Sequence, residues 1–316
     1  MHYIGHDEPW RQWRAAMAGE RMHHAWLLAG RKGVGKGPFA LEAAHELVGA
    51  EPGRDHPDII VLTHLPKDDK EAAKRDEGKP YEVARNIKID QIRAMQQRLT
   101  TRPTAGERRA VIIDPADDLE PNAANALLKS LEEPPVGTFF LLVAHRLGRL
   151  LPTIRSRCRV LRFPPVEPGE IDAILRRESP QADAATRAAA IAAAGGSPGA
   201  AIDFVDLGLG ELHGLMQALV REGDGDFSRR GALAEAIGAR PDRQRQLAAI
   251  ELARAVVAER LQDAELGVLP VIADTHTELS ILAAQAPTYN YDPGLLVMEI
   301  GGLLAKLGTP RGAAHG

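Results

Sequence analysis

The strongest constraint on what this chain can fold into is a phosphate loop that ends one residue early. Gly30-Arg31-Lys32-Gly33-Val34-Gly35-Lys36 fills the pattern G-x-x-x-x-G-K, and the next position, where Ser or Thr is required, holds Gly37. In such a loop the glycines let backbone N–H groups cradle phosphate oxygens, the lysine reaches the β- and γ-phosphates, and the hydroxyl holds Mg²⁺. A glycine offers the metal no side-chain oxygen. The motif also requires a strand running into the loop and a helix running out of it. Residues 24–29, His-Ala-Trp-Leu-Leu-Ala, read as a buried strand. Phe39, Ala40, Ala43, Ala44, Leu47 and Val48 have helical spacing, and Pro38 suits the first turn, where its missing N–H costs little.

The same alternation continues downstream. Residues 59–62, 109–114, 138–143 and 160–163 are short apolar runs that read as strands, while 89–99 and 122–133 carry helical stripes. Residues 67–79 are dense in Lys, Asp, Glu and Gly without an apolar period, which predicts a solvated loop or insertion. Short buried strands alternating with helices predict an α/β domain, a parallel sheet with helices on both faces. Pro164, Pro165 and Pro168 punctuate its end. The expected organisation is a P-loop-type domain over 1–165, a small alanine-rich helical domain over 166–206, and an all-helical domain over 207–316. Helices are expected there at 212–220, 232–237, 244–262, 278–285 and 293–307, the last started by Asp292-Pro293 as cap and first-turn proline. The tail after Thr309 is expected to be disordered.

Composition narrows the function classes. A length of 316 residues suggests about two or three domains. A net charge of −4 supplies no overall basic field for tight, stand-alone nucleic-acid binding. The single cysteine, Cys158, excludes an internal disulfide and a cysteine-rich zinc module, and fits a reducing compartment. His45, His56 and His64 make a poor ligand set without thiolates, so no zinc is expected. The His23-His24 pair reads as packing at a strand edge. No apolar run approaches the roughly 18 residues of a membrane helix, and residues 1–10 lack a basic region followed by an apolar run. The expectation is a cytoplasmic protein with no membrane partner.

The chemistry centres on Asp114, at the end of an apolar strand about eighty residues after the loop. By itself a strand-end Asp reads as a turn cap; after a phosphate loop it reads as a Walker B carboxylate that helps to hold Mg²⁺. The next residue should be an acid that orients water, and it is Pro115, with Asp117 and Asp118 expected to point elsewhere. Two strings follow: Asn122-Ala-Ala-Asn-Ala-Leu-Leu-Lys-Ser-Leu-Glu-Glu-Pro-Pro135, and Thr153-Ile-Arg-Ser-Arg-Cys158. These, with His56-Pro57-Asp58 and Gly195-Gly196-Ser197-Pro198-Gly199-Ala200-Ala201, resemble the bacterial clamp-loader branch of the AAA+ proteins, the branch that serves DNA polymerase III. The resemblance covers roughly residues 1–205.

That resemblance carries residue-level implications. Arg157 matches the Arg of Ser-Arg-Cys, which in the family is an arginine finger supplied in trans to ATP on a neighbouring subunit. On spacing alone Arg157 would be one more surface arginine beside Arg155 and Arg159. Catalytic members carry an Arg in a G-S-x-R pattern; here that position is Gly199. The sensor position at the end of the fourth strand falls near His145, with no hydroxyl. Gly30, Gly33, Gly35, Lys36, Gly37 and Asp114 would form a vestigial nucleotide site, with weak ATP or ADP binding and no required cofactor. Gly37, Pro115 and Gly199 together imply a non-catalytic subunit. Its implied partners are a gamma/tau-type ATPase subunit and a delta subunit, with primed DNA inside the complex and the sliding clamp indirectly. The alternative is an active ATPase of the same fold, kept open by Lys36 and Asp114. A third reading, nucleic-acid binding through the arginines between 146 and 162, is better explained by an anionic site across a subunit interface.

Overall fold

The computed structural model describes residues 6–238, 241, 243–261, 264–286 and 291–308. The chain divides into two compact units, Met1–Val166 and Glu167–Gly316.

Among the described residues of the first unit, five strands form one parallel sheet. They are β1 (Ala25–Ala29), β2 (Ile59–Leu62), β3 (Arg109–Ile113), β4 (Thr138–Ala144) and β5 (Arg159–Arg162), in the order β2-β3-β4-β1-β5. The helices of this unit are α1 (Asp7–Ala18), α2 (Lys36–Val48), α3 (Asp69–Asp76), α4 (Ile89–Leu99), α5 (Pro121–Glu132) and α6 (Pro152–Arg155). Every residue of β1 and β3 is buried, as their unbroken apolar runs require of strands covered on both faces. Alternate side chains supply two cores. Leu27, Val111, Ile113, Phe140 and Leu142 pack with Ile92 and Met95 of α4 and with Leu127 and Leu131 of α5. Trp26, Leu28, Ile112, Leu141 and Val143 pack with α1 and α2 on the other face.

The register fixes what shares an edge of the sheet. Ala29 lies level with Ala144 and with Arg162, and Ile113 with Leu142. Residues 30–37, Asp114 and His145 therefore gather at the carboxyl edge. His24 and residues 156–158 lie at the amino edge.

Two segments differ from the sequence reading. Residues 67–79 are not a plain loop, because 69–76 form α3. Capping, not apolar period, makes this helix: Asp68 accepts from Glu71 N–H at 2.9 Å, and the buried Glu71 carboxylate accepts from Lys74 at 2.7 Å and from Glu82 N–H at 2.8 Å. Helix α1 has no counterpart in the sequence reading. Its Trp10 ring lies 4.3 Å from that of Phe39, and its fully buried Trp13 lies 5.4 Å from Trp26.

The described residues of the second unit form helices α7 (Pro168–Glu178), α8 (Ala184–Ala194), α9 (Pro198–Asp206), α10 (Gly210–Glu222), α11 (Ser228–Ile237), α12 (Arg243–Arg260), α13 (Leu269–Gln285) and α14 (Pro293–Ala305). Asp292 caps α14, accepting from Leu295 N–H at 3.0 Å. Helix α13 begins nine residues before the expected 278, held by buried Ile272, Thr275 and Leu279. The expectation for the tail after Thr309 lies outside the described residues. Among them, no helix is long and apolar enough to cross a membrane.

Candidate functional site: a phosphate loop closed by its own chain

The loop keeps its backbone shape. Gly33 and Gly35 have φ of 79° and 102°, a region in which L side chains are strained, and α2 starts at Lys36 with its amides aimed toward the loop. A Cβ on Gly30 would lie 2.5 Å from the Phe163 carbonyl oxygen, so packing against the end of β5 already demands glycine there.

The side chains close it. A Cβ on Gly37 would lie 2.6 Å from Asp114 Oδ2, well inside contact distance. The Asp114 carboxylate thus lies in the space into which a Ser or Thr side chain at position 37 would project. The buried Lys36 ammonium folds back and donates to the carbonyls of Gly30 at 2.7 Å and Arg31 at 2.5 Å. Burial lowers the Lys36 pKa to about 8, against the attraction of Asp114 and Asp117. Burial raises that of Asp114, against the attraction of Lys36 and His64. The buried His6 ring covers the loop from the other side: Nε2 lies 2.5 Å from Val34 O and 3.0 Å from a Cβ built on Gly35. As arranged, these residues do not complement a magnesium–nucleotide. The hydroxyl is missing, its space is filled, and the lysine is spent on its own loop. A cleft of about 580 Å³ remains beside Gly30, with His145, Leu147, Arg162 and Phe163 in its wall.

The acids after Pro115 are committed elsewhere, as expected. Asp117 accepts from the N–H groups of His145 at 2.8 Å and Arg146 at 3.0 Å, which pins the end of β4. Asp118 faces His64 at 3.4 Å, Arg146 at 3.5 Å and Arg149 at 3.6 Å. His145 directly follows β4 at the carboxyl edge of the sheet. Burial, with the nearby Lys36 cation, pushes its pKa down to about 4. In the second unit, Gly199 lies in the first turn of α9, which Ser197 caps by accepting from Ala200 N–H at 3.2 Å.

Arg157 stands apart from this group. It follows α6 and precedes β5, so it lies at the amino edge of the sheet while Lys36 lies beyond the carboxyl edge. The five residues of β1 between those edges span about 16 Å at roughly 3.3 Å per residue. The Arg157 side chain is 35% exposed. It donates to Thr153 O at 2.9 Å and Ser156 Oγ at 3.4 Å, and pairs with Glu132 Oε1 at 2.5 Å. Next to it, burial pushes the Cys158 thiol up to about 12, so it packs as an apolar group.

The remaining motif residues are structural in their contacts. Asp58 of His-Pro-Asp has a fully buried carboxylate that accepts from the N–H groups of Thr104 at 2.8 Å and Ala105 at 2.7 Å, and from Arg109 at 3.3 Å. His45 bridges Leu41 O and Arg54 O, His56 Nδ1 accepts from Asp58 N–H, and His64 faces Asp118. Among the described residues no three His, Cys, Asp or Glu side chains are grouped to hold a metal. The stacked rings of His23 and His24, 4.7 Å apart, lie at the entry to β1, where His24 Nε2 contacts Leu131 O at 2.9 Å. Sequence reasoning missed His6, which carries no motif, and the partnership of Glu132 with Arg157, although Glu132 belongs to a quoted string.

Residues 5–167 match the family model described as "DNA polymerase III, delta subunit". The chain belongs to that family. It is 35% identical over 211 residues to the DNA polymerase III subunit delta' of Pseudomonas aeruginosa, covering 60% of this chain and 58% of the relative. It is 34% identical over 168 residues to the Bacillus subtilis subunit delta', covering 48% and 46%. The match therefore spans about half the length of these curated relatives. Among solved structures, a gamma subunit-related protein of Thermotoga maritima superposes with a TM-score of 0.52 at 17% identity, covering 95% of this chain and 99% of that one. The sheet order, the helical second unit and this likeness give an AAA+-type α/β fold with a helical second unit. The resemblance read from the strings at 122–135 and 153–158 is thereby borne out, and the relatives matched are subunits delta'.

Proposed function

We propose that this chain is a non-catalytic subunit of a DNA polymerase III clamp loader, and that it donates Arg157 to ATP bound by a neighbouring subunit. One observation carries the reading: Arg157 and the chain's own phosphate loop lie at opposite edges of the sheet. An arginine there cannot serve the nucleotide of its own chain. It suits a neighbour's, because a guanidinium is always charged and its planar fork binds two phosphate oxygens at once. The closed loop supports the passive half of the proposal, since the Asp114 carboxylate fills the place of the metal-holding hydroxyl. Binding of ATP or ADP to the remaining amides is weak in this reading. The partners are a gamma/tau-type ATPase and a delta subunit, docked in part through the helices of 207–316, with primed DNA and the sliding clamp reached through the complex. The site of action is the cytoplasm.

The test is reconstitution with the gamma-type and delta partners. Arg157→Ala should leave assembly on a sizing column unchanged and cut hydrolysis at the neighbouring site by about 10³-fold or more, the scale of an arginine finger supplied in trans. Normal stimulated turnover in that variant dismisses the assignment. The retained proximity of Lys36 and Asp114 favours the rival, an intrinsic ATPase. Steady hydrolysis by the purified chain alone, lost in Lys36→Ala, would establish the rival instead.

A further inference from the structure

The strongest unexplained feature outside the closed loop is the ion pair that occupies the exposed arginine. Glu132 is the last residue of α5, and its Oε1 lies 2.5 Å from Arg157 Nη2. The carboxylate sits at the negative end of its own helix, where an acid is electrostatically disfavoured. Local helix stability therefore does not account for it. The packing of α5 does not either: the core-facing residues are Ala123, Ala124, Leu127, Ser130 and Leu131, and the Glu132 side chain is 49% exposed. What Glu132 does contact is the guanidinium. With Nη1 on Thr153 O and Ser156 Oγ, and Nη2 on Glu132, both terminal nitrogens are engaged inside the chain.

We propose that Glu132 is a positioning residue for Arg157, a latch that holds the guanidinium on its own subunit until a neighbour's triphosphate displaces the carboxylate. This rests on the trans-finger reading above. The bidentate phosphate grip needs the Nη edge of the arginine, so the Glu132 pair must open for engagement. The pair is half-exposed, and exposed ion pairs are weak and screened by salt. A multiply charged triphosphate outcompetes it. In an empty or ADP-bound interface the carboxylate keeps the arginine ordered. The latch therefore couples finger engagement to the presence of the neighbour's γ-phosphate, at a small cost in apparent ATP affinity.

The test uses the reconstituted complex and a fluorescent ATP analogue. Glu132→Gln should tighten analogue binding at the neighbouring site by about 2- to 5-fold, the equilibrium equivalent of one exposed ion pair. The half-saturating ATP for hydrolysis should fall equally, with the maximal rate unchanged. The gain should shrink as salt rises from 0.05 to roughly 0.5 M, and Glu132→Asp should behave nearer to wild type. In an Arg157→Ala background the Gln substitution should change analogue binding by nothing measurable. A gain that persists in that background, or that does not respond to salt, overturns the latch. So does an Arg157→Ala complex that is defective while Glu132→Gln matches wild type. An Arg157→Ala complex that binds and hydrolyses ATP normally removes the finger itself, and the proposal with it.

Discussion

Replacing Gly37 by Ala tests the closed loop through the sign of one stability change. Gly37 is the second residue of α2 and its φ is not positive, so an L residue fits the backbone. Gly→Ala in a helix normally stabilises by about 0.5–1 kcal/mol. Here the new methyl would lie 2.6 Å from Asp114 Oδ2. Overpacking of that kind costs about 1–3 kcal/mol. The net expectation is a loss of about 0.5–2 kcal/mol. Asp114→Ala removes the obstruction, so Gly37→Ala in that background should regain about 0.5 kcal/mol, a reversal of sign within one double-mutant cycle. The assay is urea unfolding followed by tryptophan fluorescence. Trp10, Trp13 and Trp26 are the chain's three tryptophans, and all pack in the first unit against α2 and β1. A Gly37→Ala protein more stable than wild type would refute the reasoning, because it would mean that the Asp114 carboxylate is not held in that space. An equal loss in both backgrounds would refute it too.

Two further outcomes are expected. Asp58→Ala should lower stability by about 3–5 kcal/mol in the same assay, since it leaves the buried Arg109 guanidinium without its counter-charge, although its bonds to the carbonyls of Arg98, Thr101 and Arg102 remain, and leaves two loop N–H groups without an acceptor; a loss under about 1 kcal/mol would show that the pair is dispensable. His145, with a folded pKa of about 4 against roughly 6.5 unfolded, leaves the unfolded chain holding more protons between those values. Stability should therefore fall as pH drops from about 6.5 toward 4, by about 1–2 kcal/mol at pH 5, and His145→Gln should remove that share of the acid sensitivity; identical pH profiles for the two proteins would contradict the neutral imidazole.

Much of the first unit was legible because its signals are local. The strand–loop–helix around Lys36 follows from apolar runs, glycines and helical spacing within one stretch of chain, and the five strands lie within a residue or two of where the runs placed them. Helix α3 was not legible, because its stability comes from Asp68 as a cap and from Glu71 reaching Glu82 eleven residues on, neither of which leaves an apolar period. Helix α1 was missed for a related reason: its inner face is two tryptophans that meet Phe39 and Trp26 only after the sheet forms.

The sequence by itself determined that this chain carries a phosphate loop without its metal-holding hydroxyl, a strand-end carboxylate, and the strings of a clamp-loader family. Motifs are contiguous, so they survive in one dimension. Only the tertiary structure decided what those residues do to one another. The missing side chain at Gly37 is not an empty place but one taken by Asp114, which parallel pairing of β3 through β4 to β1 brings to the same edge. Arg157 precedes a strand parallel to β1 and so emerges at the far edge, beside Glu132. Residues far apart in sequence acquire contacts only when strand register fixes their edge and height, and that register is a property of the folded sheet.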